Sequence, residues 1–217
     1  MNPRRRVAIT GLGLVTPVGN NVPTTWANLQ AGRSGLGTIR YFDASGFPVR
    51  IGGEVKGFDA AAVIGHPKLL KRATRAHRFA LAAAEEALTD AGIRPTASDG
   101  HRWGFCVGAG MMAMDFSELQ MSQKVCGPDG EFQPGRLLGD DFRSDPFAFA
   151  RNQTNSGLSL LTRHFGIQGY ATAVQTACAS GGQALGTALK VLRRGQADYV
   201  LAGGFDSMLS PTGLSAF

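Results

Sequence analysis

Cys178 is the side chain in this sequence best suited to nucleophilic chemistry. It stands in Thr176-Ala177-Cys178-Ala179-Ser180-Gly181-Gly182. A thiolate attacks a carbonyl carbon readily and also leaves readily, which suits the transfer of an acyl group. The small residues on both sides let a substrate carbonyl approach the sulfur. The competing reading is a structural thiol in a tight turn, because unreactive cysteines behave as small hydrophobes.

The flanking elements bear on that choice. Tyr170 to Thr176 reads as a short buried strand and Gln183 to Arg194 as a helix. Leu185, Ala188, Leu189 and Leu192 recur at i, i+3, i+4 and i+7, one apolar helical face. Lys190, Arg193 and Arg194 fall in the last turn, where cations suit the negative end of the helix dipole. Gly195 follows as a stop. Cys178 is therefore expected at a strand-to-helix turn, near free backbone N–H groups that favour a thiolate. Strand, turn and helix is the setting of other nucleophile elbows.

The rest of the chain alternates in the same way. Val7 to Ile9 is a strand candidate ended by Gly11 and Gly13. A dinucleotide fingerprint is excluded there, because Thr16 stands where its third glycine would fall. Thr24 or Thr25 is expected to cap a helix carrying Trp26 and Leu29, stopped by Gly32. Residues 33 to 67 read as loop and short strand. A basic helix is expected from Pro67 to Ala91, with Phe79, Ala82, Ala83, Glu86 and Ala87 on a packable face and Gly92 at its end. Arg102 to Gly110 reads as a buried strand, Ala113 to Lys124 as a helix, and Cys126 to Gly135 as an exposed loop. Phe147 to Phe165 reads as one helix with Leu158, Leu161 and Phe165 on its buried face. Strands are thus expected near 7–10, 104–108, 170–176 and 198–203, within a layered α/β fold.

Composition narrows the functions open to the chain. Of 217 residues, 43% are hydrophobic and 18% charged, enough apolar material for a sizeable core. No run reaches the ~18 apolar residues of a membrane span. Arg4-Arg5-Arg6 is not followed by the apolar stretch of a secretory signal. Three cysteines make no disulfide framework and show no metal-ligand spacing with the four histidines. These features point to the cytoplasm. The net charge of +6 could serve nucleic acid, membrane or an acidic protein. Nucleic acid is disfavoured, since no zinc-finger spacing, RNA-binding aromatic motif or long basic run is present.

Three ordered stretches carry a resemblance. Thr176-Ala-Cys-Ala-Ser-Gly181 resembles the active-site motif of the β-ketoacyl-acyl-carrier-protein synthases, the condensing enzymes of fatty acid and polyketide synthesis. Val7-Ala-Ile-Thr-Gly-Leu-Gly-Leu-Val-Thr-Pro-Val-Gly19 resembles the family's opening strand and loop. Ala197-Asp-Tyr-Val-Leu-Ala-Gly-Gly204 resembles the strand after its nucleophile helix. The likeness runs from about Arg5 to the last residue and is strongest to elongating, type II synthases.

The resemblance implies a thiolase-like α/β fold, a mixed sheet covered by helices, of which residues 1–217 are the N-terminal half. It implies that Cys178 takes an acyl group from acyl carrier protein, and that a decarboxylative Claisen condensation with a malonyl thioester extends it by two carbons. No cofactor is implied beyond the carrier's phosphopantetheine arm, and no metal. The family's catalytic histidines, its lysine and its second oxyanion loop belong to the C-terminal half, on the same or a second polypeptide. His66, His77, His101 and His164 stand in no such motif, and His164 reads as a helix-end residue. Met111 and Met112 match the acyl-pocket wall, with core packing as the alternative. Phe147, Ala148, Phe149 and Asn152 match the segment reaching the partner's acyl pocket, although Ala150-Arg151 departs from the family's proline-serine pattern there. Lys68, Lys71 and Arg72 match positions that dock the acidic carrier protein; the alternative is a merely solvated face. A homodimer, or a ketosynthase heterodimer, is expected, with Tyr170 to Thr176 pairing across a two-fold axis. Four other readings stay open: a thiolase acting on coenzyme A thioesters, a non-catalytic subunit resembling a chain-length factor, a non-enzymatic binding half, and a cysteine hydrolase, for which no well-placed histidine is seen.

Overall fold

The computed structural model describes residues 5–110, 120–121, 123–139, 146–153 and 155–216. Its centre is the strand β3 (Trp103–Ala109), buried along its whole length. Strand side chains alternate between faces, and here the two faces differ in kind. Trp103, Phe105 and Val107 join one core with Leu81 and Leu88, Leu161 and Phe165, and Ile167. Cys106 joins a second core of small residues with Ala184, Ala188, Val191 and Ala197. The bulky side is covered by α4 (Arg75–Ala91) and α6 (Ser156–Phe165), and the other by α7 (Ser180–Arg193). Helices thus cover both faces of the sheet, which is the layered α/β arrangement expected.

β3 lies between β4 (Ala171–Val174) and β5 (Tyr199–Phe205), parallel to both. Arg102 Nε, just before β3, donates to Asp198 Oδ2 just before β5 at 2.6 Å, which aligns the two strand starts. Antiparallel pairing occurs in a separate small sheet of β1 (Leu36–Thr38) and β2 (Ile51–Gly53).

Several elements differ from the sequence reading. Residues 7–10 form no strand. Both long edges of β3 are taken, and the segment instead lies against α4. Leu12 N–H donates to Asp90 Oδ2 and Leu14 N–H to Glu86 Oε2, each at 2.9 Å. Gly11 and Gly13 allow this approach, since a Cβ on either would run into the carbonyl oxygens of Ala87 and Ala83. Ile9 is left 82% exposed. The cap of α1 (Val22–Gln30) is Asn21 rather than Thr24 or Thr25, its Oδ1 accepting from Thr24 N–H at 2.8 Å. Trp26 and Leu29 are exposed.

The single basic helix expected over 67–91 is two. α3 (Pro67–Leu70) ends, and α4 starts afresh behind Thr74. Thr74 Oγ1 accepts from His77 N–H, and His77 Nδ1 accepts from Thr74 N–H, each at 3.2 Å, a reciprocal cap that terminates the run. Likewise α5 (Pro146–Arg151) and α6 are separate helices. Leu161 and Phe165 of α6 are buried as expected, and Leu158 packs beside them. His164 lies in the last turn of α6. On α7 the buried stripe is Ser180, Ala184, Ala188 and Val191, about one residue round from the face expected. Leu185 is consequently 55% exposed, and Leu189 is exposed too. The remaining helices are α2 (Ala60–Ile64) and α8 (Pro211–Ala216). The expected helix over 113–124 falls mostly outside the described residues.

Candidate active site

Cys178 sits where β4 runs into α7, in a single 3-10 turn over Ala177–Ala179, and it is exposed. The next residue but one opens the helix. This is the strand, turn and helix setting derived for a nucleophile. Ala177 has φ +48°, a left-handed conformation that a residue with a Cβ adopts at a cost. Such local strain clusters at functional turns.

The turn is held tightly. Thr176 N–H donates to Ser180 Oγ at 2.8 Å, and Ser180 Oγ donates to Ala177 O at 2.8 Å. Ala179 N–H returns to Thr176 O at 3.1 Å. Beneath it the sheet comes close: a Cβ on Gly108 of β3 would collide with the Ser180 carbonyl carbon. Gly204 of β5 stands in the same relation to Gly181, with an added Cβ 3.1 Å from its Cα. On its sheet side the Cys178 turn therefore rests on backbone. The first helical turn of α7 has no side-chain cap.

The other two thiols have different settings. Cys106 is 0% exposed in the small-residue core, where burial pushes its thiol up to about 11. Cys126 is half-buried in the 126–132 loop, bridged to Phe132.

The remaining candidates are spread over the molecule. Lys68 lies in α3, Lys71 is its C-cap, its N–H still bonded to Pro67 O at 3.2 Å, and Arg72 follows in the turn; all three are exposed. Ala148 and Phe149 fall in α5, and Asn152 just beyond it, half-buried. Met111 and Met112 lie outside the described residues.

His77, which the sequence marked only by its lack of a catalytic motif, proves to be a structural hub. It is 1% exposed, and its ring meets Phe205 edge-on at 5.4 Å. With Nδ1 accepting from Thr74, the proton of the neutral ring sits on Nε2, 3.4 Å from Ser156 Oγ. Ser156 Oγ in turn donates to Arg151 O at 2.7 Å. Burial lowers the imidazole to about 4. Asp206, at the end of β5, has its carboxyl raised by burial. Among the described residues no group of His, Cys, Asp and Glu is placed to hold a metal ion, and no helix is long and apolar enough to cross a membrane.

Known proteins resemble the chain along nearly its whole length. A family model described as the N-terminal domain of beta-ketoacyl synthase matches residues 4–217. The chain is 38% identical over 210 residues to a tetracenomycin polyketide synthase ketoacyl synthase beta subunit of Streptomyces glaucescens, covering 97% of this chain and 48% of that one. It is 32% identical over 215 residues to 3-oxoacyl-[acyl-carrier-protein] synthase 2 of Synechocystis, covering 99% and 48%. The solved structure of the ishigamide ketosynthase/chain length factor superposes with a TM-score of 0.80 at 30% identity, covering 99% of this chain and 50% of that one. The chain spans about half the length of the curated relatives it matches. With the family model matched along nearly its whole length and a thiolase-like α/β fold behind the Cys178 turn, the chain belongs to the beta-ketoacyl synthase family, as its N-terminal domain.

Proposed function

We propose that this chain supplies the acyl-accepting half of a 3-oxoacyl-acyl-carrier-protein synthase, with Cys178 as the nucleophile. The observation that carries this reading is the exposed Cys178 at a strained strand-to-helix turn, in a chain of this family. The sulfur attacks a carrier-bound thioester carbonyl. The backbone N–H of Cys178 is the expected first donor to the oxyanion. The pantetheine thiolate leaves with the proton given up by Cys178. Loss of CO2 from a malonyl thioester then provides the carbanion that attacks the acyl-enzyme and releases a 3-oxoacyl product two carbons longer. Proton handling at decarboxylation belongs to groups of the C-terminal half. Lys68, Lys71 and Arg72 would meet the acidic carrier protein, and Met111, Met112, Ala148, Phe149 and Asn152 would line the acyl pocket. Nothing in this sequence of steps moves electrons between substrates, so no redox cofactor is called for.

The test is direct. The protein expressed from its own gene is mixed with acyl-acyl-carrier protein, and Cys178 is examined by mass spectrometry for the acyl adduct. Malonyl-acyl-carrier protein is then added and the 3-oxoacyl product measured. An adduct on Cys178 is expected; its absence with carrier-bound and coenzyme A donors alike overturns the reading. A faster adduct from coenzyme A thioesters would favour a thiolase instead.

A second reading has one observation in its favour, the 38% identity to a relative named as a beta subunit. A non-catalytic partner subunit would bind a ketosynthase chain without Cys178 becoming acylated.

A further inference from the structure

We propose that the buried hydroxyl of Ser180 is the positioning group of the nucleophile turn, holding Ala177 in its left-handed conformation and so fixing the approach of Cys178 to a thioester carbonyl. The inference rests on the reading of Cys178 as the acyl acceptor.

Ser180 is 4% exposed, and its Oγ makes two hydrogen bonds of 2.8 Å, accepting from Thr176 N–H and donating to Ala177 O. These two backbone groups bracket the strained residue. Together they tie down the torsions on which φ +48° at Ala177 depends. Without them the Cβ of Ala177 favours a return to negative φ, which would swing the next residue, Cys178, to a new direction.

The role differs from that of an ordinary helix-start serine. Such a residue precedes the helix and accepts from an N–H one turn ahead. Ser180 is the first residue inside α7, and its hydroxyl points back into the turn, leaving the helix start without a side-chain cap. Its position is also backed from below. The Ser180 main chain lies so close to Gly108 of β3 that no Cβ fits between them. The sheet therefore fixes Ser180, Ser180 fixes the 176–177 turn, and the turn aims the thiol.

Two reactions of the same sulfur separate positioning from general folding. In acylation, the sulfur–carbon bond forms as the carbonyl oxygen gains charge, the bond to pantetheine sulfur then breaks, and the leaving thiolate is protonated. That oxyanion needs the backbone donor in place. Alkylation by iodoacetamide forms a sulfur–carbon bond and expels iodide with no oxyanion.

The experiment uses Ser180→Ala, Ser180→Thr and Ser180→Val in the protein expressed from its own gene, each checked for native thermal unfolding. Ser180→Gly replaces Ser180→Ala or Ser180→Val if either does not fold. Cys178 is acylated with a medium-chain pantetheine thioester and, separately, alkylated with iodoacetamide; hydrogen exchange at the Thr176 amide is followed by mass spectrometry. In Ser180→Ala and Ser180→Val, acylation slows roughly 10–100-fold, alkylation stays within about twofold, and Thr176 exchange accelerates. Ser180→Thr, isosteric with valine but carrying the hydroxyl, recovers acylation. The proposal is overturned if Ser180→Ala acylates at the wild-type rate, if both reactions fall in the same proportion, or if threonine and valine behave alike. Should the wild-type protein take no acyl group, the acyl-acceptor reading fails by itself. The positioning of the turn then stands or falls on Thr176 exchange, and unchanged protection in Ser180→Ala overturns it.

Discussion

Cys106, Cys126 and Cys178 present three environments to one reagent. Cys178 is exposed, Cys126 half-buried and Cys106 sealed in the core with its thiol raised by burial. Stoichiometric iodoacetamide should therefore label Cys178 ahead of Cys126, and Cys106 only after denaturation, as read by peptide mass spectrometry. Labelling spread evenly over the three would contradict the environments described. Ala177 offers a stability test of the same turn. A β-branched side chain resists φ +48° more than alanine does, so Ala177→Val should cost about 1–2 kcal/mol in denaturant unfolding. His77 makes stability depend on pH. Its imidazole is held near 4 when folded, against an ordinary 6.5, so the unfolded chain binds the proton more readily. The stability it contributes is complete above pH 6.5 and is lost as pH falls from there through about 4, by up to about 3 kcal/mol. Against His77→Gln, which lacks the titration, the wild-type advantage should shrink across that window; a constant gap would show that His77 titrates normally.

At the scale of elements, the end of α3 offers a test of carrier-protein docking. Lys68, Lys71 and Arg72 cluster at the end of α3, and all three are exposed. Rim charges mainly raise association rates and are screened by salt. Changing all three to Glu should raise the apparent KM for acyl-carrier-protein substrates, more at low salt than at high, while a small acyl-pantetheine substrate is turned over as before. Equal loss on both substrates would indicate a damaged fold, and no loss on either a merely solvated surface. The α3–α4 break shows why some boundaries escaped the sequence. The run from Pro67 to Ala91 keeps helical composition throughout, and what divides it is a reciprocal cap between Thr74 and His77. A histidine as the second partner of that cap carries no familiar signature. The Cys178 turn was legible because small residues, a strand-like run and a helical period meet there in one local stretch. The left-handed Ala177 and the backward-pointing Ser180 were not, because both follow from how closely α7 rests on Gly108, a contact across 72 positions. The misplaced 7–10 strand also turns on distant contacts: its composition is strand-like, but the segment that follows is tied to α4 through Leu12–Asp90 and Leu14–Glu86.

Across the whole molecule, the two outer edges of the sheet, on β4 and β5, are unpaired among the described residues and set an expectation about assembly. β4 pairs with β3 along one edge, and among the described residues no strand covers the other. Exposed edges invite pairing with a second copy. The protein expressed from its own gene should therefore scatter light as a dimer at micromolar concentration, and a monomer there would remove the two-fold arrangement expected for Tyr170 to Thr176. The exposed Leu185 and Leu189 on α7 are available to a further layer, in keeping with relatives twice as long.

The parallel order of the sheet also has a consequence for how the chain is made. β3 is its most buried strand, yet its two neighbours arrive late: the Arg102–Asp198 bond that aligns β3 with β5 joins residues 96 apart. A ribosome adding 5–20 residues per second needs roughly 5–20 s to cover that distance. Throughout that interval the apolar run from Trp103 to Ala109 waits without its β5 partner, a strong reason for the nascent chain to be held by a chaperone until Phe205 has emerged.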